Sequence, residues 1–213
     1  MKIDLIVFDF DGTLFDSSKD LAKAMNFALG KVRLPPVSKE KVWSFTGDGT
    51  PLLIKRILSK ENEDLYDRVF AYFMNYYSLH YADYTSPLDG VEHLLKKFKG
   101  KKMAILTNKY KKFAVKILDK FGMRKYFLTV YGKESFHKSK PDPYPLVYIM
   151  NELQATRDKT IFVGDSLNDI LISKSTNVKC FIIPSGVTPM ERIKALKPFK
   201  ILKNIKELEN FIE

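Results

Sequence analysis

One apolar run near the start of the chain constrains the fold more than anything else in the sequence. Residues 4–10 read Asp-Leu-Ile-Val-Phe-Asp-Phe and stop at Asp11-Gly12-Thr13, a turn signal. A strand of that composition must be covered on both faces, as in a parallel sheet sandwiched by helices. It cannot supply that cover alone. The partners come only after Ser86-Pro87, where helix and apolar strand alternate: strands are predicted at 102–107, 127–131, 159–163, 179–183 and 199–202. Helices are predicted between and after them at 90–98, 110–121, 143–153, 167–175, 189–196 and 204–212. Alternation of this kind is the mark of an α/β domain with a doubly wound parallel sheet.

Between the first strand and this block the pattern is helical only. Asp16-Ser17-Ser18 caps a helix whose apolar stripe is Leu21, Ala24, Met25, Ala28 and Leu29, spaced as one face of a helix. Further helices are expected at 38–45, 51–59 and 63–81. The expected organisation is therefore a core built from residues 1–15 and 85–213, with residues 16–84 inserted as a small all-helical cap domain. The aromatic run from Tyr66 to Tyr84 reads most simply as the cap's own core, with a substrate pocket or a dimer contact as the functional alternative. Trp43 is expected in the cap core as well.

Charge narrows the partners only a little. Lys and Arg total 36 against 25 acidic residues, a net charge of +11 that attracts anions of any kind. The lysines are scattered rather than gathered in one block, which argues for a solvated surface and against a nucleic-acid face. Cys180 is the only cysteine, so an intramolecular disulfide and a cysteine metal cluster are excluded. Its flanks read as a buried strand. The N-terminal run carries no signal-peptide pattern and no stretch is long enough to span a bilayer, so a cytoplasmic protein without a membrane partner is expected.

Chemistry is concentrated at the expected strand ends. Asp9 and Asp11, two apart at the end of the first strand, project to the same side. Thr107 follows the second core strand, Asp165 follows the run Ile161 to Gly164, and Asp169 comes one helical turn later. Open α/β sheets bind ligands at these carboxyl ends. Several carboxylates gathered there need a compensating cation, and oxygen ligands of this kind suit Mg²⁺. Lys140 supplies a second, fixed positive charge. Lys109, Lys111 and Lys112 read as a solvated helix start.

These residues resemble a known family. Asp9-Phe10-Asp11-Gly12-Thr13-Leu14 looks like the nucleophile motif of the haloacid dehalogenase superfamily of phosphohydrolases. Thr107-Asn108-Lys109, Lys140-Pro141-Asp142-Pro143 and Gly164-Asp165-Ser166-Leu167-Asn168-Asp169 match its other three motifs in order. The resemblance implies a Rossmann-like core and a Mg²⁺-dependent phosphatase acting through an aspartyl-phosphate. By the same resemblance Asp9 is the nucleophile and Asp11 the proton shuttle, while Asp9, the Asp11 carbonyl and Asp165 hold the metal. Thr107, Asn108 and Lys140 then bind the phosphate, with Asp169 and Ser166 supporting them from behind.

The family's branches are separated by a few positions. An acid at Asp11 argues against the dehalogenase and phosphonatase branches, which carry none there. The β-phosphoglucomutase-like branch often has an arginine where this chain has Thr50. The turn Gly47-Asp48-Gly49-Thr50-Pro51 and the segment Ser86 to Val91 are similar to those of phosphoglycolate phosphatases. A small phosphorylated metabolite is therefore the expected partner, with 2-phosphoglycolate first and Gly47, Gly49 and Thr50 the substrate loop of the cap. Other phosphatases and phosphotransferases of the superfamily, acting on pyrophosphate or sugar phosphates, are the alternatives. An aspartate-phosphorylated signalling receiver and a basic nucleic-acid-binding module are the non-enzymatic rivals. A monomer or a homodimer is compatible with all of these.

Overall fold

The computed structural model describes all 213 residues. The chain opens with β1 (Leu5–Phe8), turns sharply, and forms a short β2 (Phe15–Asp16) before entering four helices: α1 (Ser18–Lys31), α2 (Lys39–Ser44), α3 (Thr50–Leu58) and α4 (Tyr66–His80). It returns through β3 (Ser86–Pro87), which pairs antiparallel with β2 through Phe15 and Pro87. The chain therefore crosses between the helical block and the sheet side by side. Asp20 of α1 anchors the return strand, accepting from the Tyr84 and Thr85 N–H groups and, at 2.7 Å, from the Thr85 hydroxyl.

The rest alternates as the sequence predicts: α5 (Val91–Lys97), β4 (Lys102–Leu106), α6 (Lys111–Lys120), β5 (Thr129–Tyr131), α7 (Tyr144–Glu152), β6 (Thr160–Gly164), α8 (Leu167–Thr176), β7 (Lys179–Ile182), α9 (Met190–Ala195) and β8 (Lys200–Ile201). Six strands form one parallel sheet in the order β5-β4-β1-β6-β7-β8. This is a doubly wound Rossmann-like core with a helical cap inserted after its first strand. No helix is long and apolar enough to cross a membrane.

Alternation along β1 explains its uninterrupted apolar run. Ile6 and Phe8 enter a core shared with Val91, Leu94, Ala114 and Ile117 of α5 and α6, while Leu5 and Val7 enter one shared with Leu146, Ile149 and Ile172 of α7 and α8. Burying each such side chain stabilises the fold by about 1.5–3 kcal/mol. The α1 stripe packs with Leu53, Ile54, Val69, Phe73 and Tyr77 in a third, separate core, which Phe113 of α6 joins from the sheet side.

Several element ends differ from expectation. The first strand stops at Phe8 because the Phe10 carbonyl accepts from the Leu14 and Phe15 N–H groups, folding the chain back. Phe10 stays buried, stacked on Phe15 at 4.7 Å. The helix expected from 63 starts at Tyr66, since Ser59 and Asn62 take non-helical conformations and residues 60–65 form 3₁₀ turns. The last expected helix is likewise a 3₁₀ segment, Ile205–Asn210.

Candidate active site

β1 lies between β4 and β6, so the carboxyl ends of three neighbouring strands open onto one place, where the strand order reverses. Asp9 follows β1, Thr107 and Asn108 follow β4, and Asp165 and Ser166 follow β6. Lys140 reaches the same place from the loop before α7. Its ammonium lies 2.8 Å from Asp9 Oδ1 and 2.6 Å from Asp169 Oδ1. The other oxygen of Asp169 accepts from the Asp165 N–H, the Ser166 N–H and the Ser166 hydroxyl, closing a capping box at the start of α8. Both Asp169 oxygens are thus spent within the protein. Asp165 accepts from the Ser185 hydroxyl, a partner that no pattern near either residue points to.

Carboxylate oxygens of Asp9, Asp165 and Asp169 all lie within 4.8 Å of one another, and all three residues are buried. Three carboxylates face one ammonium. Burial, with Asp169 adding to it, pushes Asp9 up to about 7 in spite of Lys140. Burial pushes Asp165 well above the carboxylate range, with Asp9 and Asp169 adding to it. Burial opposes the charge on Lys140 too, but Asp169 and Asp9 hold it above its ordinary range. A group with this excess of buried negative charge suits a metal cation. Gly12 makes the approach possible: its φ is +80°, and a Cβ there would lie 2.2 Å from Asp165 Oδ2.

Asp11 stands apart from this cluster. Its carboxylate accepts from the Ser17 hydroxyl at 2.5 Å and from the Lys109 ammonium at 3.0 and 3.2 Å. Both of its carboxylate oxygens are thus engaged away from the acidic cluster. Lys109 also donates to the Tyr77 hydroxyl at 2.7 Å. The expectation of a solvated helix start therefore fails at Lys109, which is 8% exposed. Helix α6 begins only at Lys111, so Lys109 belongs to the strand-end turn and points inward. Tyr77 is in the cap core as expected, yet its hydroxyl serves this second cluster. The signal available beforehand was position: Lys109 is the third residue of the Thr107 motif.

The cap meets the strand ends through residues 47–50. The Gly47 carbonyl accepts from the side-chain amides of both Asn108, at 2.8 Å, and Asn168, at 3.1 Å. Asn108 also donates to the Lys140 carbonyl, so its amide ties loops together. Asn168 reaches Asp48, which pairs with Arg56 of α3. Gly49, at φ +89°, sits where a Cβ would be 2.8 Å from the Asn108 carbonyl oxygen, and Thr50 begins α3. Gly47, Gly49, Thr50 and Asn108, together with Asp9, Asp11, Thr107 and Lys109, line a cavity of about 30 Å³. Trp43 packs against the cap core as expected but is only half-buried, because its indole N–H donates to the Ser185 carbonyl across the boundary.

Comparison with known proteins gives a consistent result. Residues 6–183 match the family model described as haloacid dehalogenase-like hydrolase. A phosphoglycolate phosphatase of Vibrio parahaemolyticus is 36% identical over 97% of this chain and 94% of its own length. Phosphoglycolate phosphatase 1 of Pseudomonas aeruginosa is 32% identical over 96% of this chain and 78% of its own. A solved structure from Haemophilus somnus, described as a predicted phosphoglycolate phosphatase, superposes with a TM-score of 0.91 at 29% identity, covering 99% of this chain and 98% of that one. With the four motifs converging on one buried acidic cluster and the family model spanning most of its length, this chain belongs to the haloacid dehalogenase-like hydrolases.

Proposed function

We propose that this protein is a Mg²⁺-dependent phosphatase that hydrolyses a small phosphorylated metabolite, 2-phosphoglycolate in the first instance, through an aspartyl-phosphate on Asp9. The observation that carries this reading is the position of Asp9, buried between Lys140 at 2.8 Å and the carboxylate of Asp165. Membership of a hydrolase family sets aside the receiver and nucleic-acid readings. The names of the Vibrio and Pseudomonas relatives support the choice of substrate. We divide the chain into a catalytic core, 1–15 and 85–213, and a cap, 16–84.

In the first step an Asp9 oxygen forms a bond to phosphorus while the ester P–O bond breaks, and Asp11 gives a proton to the leaving oxygen. In the second, Asp11 takes a proton from water as that water attacks the aspartyl-phosphate, releasing phosphate and freeing Asp9. Lys140 and the Thr107 hydroxyl hold the phosphoryl oxygens, and Asp169, backed by Ser166, keeps Lys140 aimed. A Mg²⁺ held by Asp9, Asp165 and the Asp11 main-chain carbonyl would supply charge neutralisation between the carboxylate nucleophile and the phosphate. The cavity has room for about two waters. A phosphate ester needs more room than this, which a lift of residues 47–50 would give, and their return would exclude bulk solvent.

The test is phosphate release from a panel of phosphorylated metabolites with and without Mg²⁺. Turnover of 2-phosphoglycolate that disappears in EDTA and returns with Mg²⁺ is expected. Full activity in EDTA contradicts the mechanism, and a strong preference for another ester contradicts the substrate.

A further inference from the structure

We propose that Lys109 selects esters carrying a second negative charge, by binding the carboxylate of a 2-phosphoglycolate-like substrate on its ammonium group. This rests on the phosphatase reading above and deepens it. Lys109 is the only lysine or arginine among the residues enclosing the cavity. Lys140, the other buried ammonium at the strand ends, is committed between Asp9 and Asp169 at the phosphoryl end. The cap-loop residues that line the cavity, Thr46, Gly47, Gly49 and Thr50, are uncharged. A second anionic group in this cavity therefore has one cation to meet.

The geometry suits that role. An ammonium carries three N–H donors, and those of Lys109 meet the two Asp11 oxygens, at 3.0 and 3.2 Å, and the Tyr77 hydroxyl at 2.7 Å. The 3.2 Å contact is the longest of the three, so its donor is the one a substrate carboxylate would take over, in a side chain that is 5% exposed. Asp11 is the group assigned to the leaving oxygen. In 2-phosphoglycolate the carboxyl carbon is two bonds from that oxygen, so a cation touching Asp11 is placed for the carboxylate. Tyr77 fixes the ammonium because its ring is itself fixed, stacked on Phe73 at 5.6 Å and edge-on to Phe113 at 4.9 Å. Charges that meet in a site closed off from bulk solvent interact far more strongly than in water, so an ester lacking the carboxylate forfeits much of its recognition.

The experiment compares kcat/KM for 2-phosphoglycolate with that for 2-hydroxyethyl phosphate, whose corresponding end is uncharged, in the Mg²⁺-loaded wild type and in Lys109→Gln, Lys109→Met and Lys109→Arg. Gln can still donate to Asp11 without the charge. The wild type is expected to prefer 2-phosphoglycolate by roughly 30-fold or more. Gln and Met should bring that ratio close to one, and Arg should restore part of it. Equal losses on both esters, which would mean that Lys109 acts only through Asp11, overturn the proposal. So does a wild type without the preference. Hydrolysis of p-nitrophenyl phosphate separates the two levels: if it persists while the preference is missing, only the role of Lys109 fails. If no ester is hydrolysed, the phosphatase reading fails with it.

Discussion

The Lys140 ammonium lies 2.8 Å from Asp9 Oδ1, and both residues are buried, so the candidate nucleophile is paired with a fixed positive charge before any substrate arrives. The same ammonium serves Asp169. Removing it as Lys140→Met strands buried carboxylates without a counter-charge. The metal-free variant should be less stable by about 3–5 kcal/mol near neutral pH, read from urea unfolding, and should lose phosphate release. An unchanged unfolding curve contradicts the pairing.

Stability and metal binding should depend on pH in opposite senses. Burial raises Asp9 from 3.8 to about 7, and Asp165 is also raised, so the folded metal-free protein binds more protons than the unfolded chain in that window. Its stability is therefore expected to fall as pH rises from about 4 towards 7. Metal binding needs the ionised forms and strengthens over the same range. The rise in Tm on adding Mg²⁺ should be larger near about pH 8 than near about pH 5. An equal rise at both contradicts a metal site at these carboxylates.

Asp11 touches Ser17 and Lys109 rather than the acidic cluster, and the role proposed for it is proton transfer. Asp11→Asn is expected to cost roughly 10²- to 10⁴-fold in kcat on alkyl phosphates. The loss should be much smaller on p-nitrophenyl phosphate, whose leaving oxygen needs no proton. Equal losses on both rule out this assignment.

Gly49 is pressed against the Asn108 carbonyl oxygen and holds a positive φ. Replacement by Val must push residues 47–50 away from Asn108, breaking the Gly47 tie and leaving the cavity open to solvent. KM for the metabolite should rise about tenfold or more, and strain should lower stability by about 1–3 kcal/mol. A Gly49→Val enzyme with wild-type KM and Tm contradicts closure through this loop.

Much of this was legible in the sequence because the signals are local. The buried run of β1, the period of α1 and the strand-end positions of Asp9, Thr107 and Asp165 all follow from patterning over a few residues. Contacts between distant segments left no such trace. Lys109 looked like one of a run of solvated lysines because nothing nearby in sequence says that Tyr77, from α4, and Asp11 meet there. Trp43 packs against the cap core but stays half-buried, because its hydrogen-bond partner, the Ser185 carbonyl, comes from the far end of the chain. The same holds for Ser185 on Asp165 and Asn168 on Gly47. Where a helix truly starts decided the rest: α6 at Lys111 leaves Lys109 in a turn, and α4 at Tyr66 follows backbone that Ser59 and Asn62 keep from being helical.

The central claim is a covalent intermediate on Asp9, and acid quench of a reaction in progress tests it most directly. With 2-phosphoglycolate and Mg²⁺, peptide mass spectrometry should find one phosphoryl group on Asp9, absent from Asp9→Asn, which should also release no phosphate. Steady turnover by Asp9→Asn, or a phosphoryl group on any other residue of the wild type, would contradict the account.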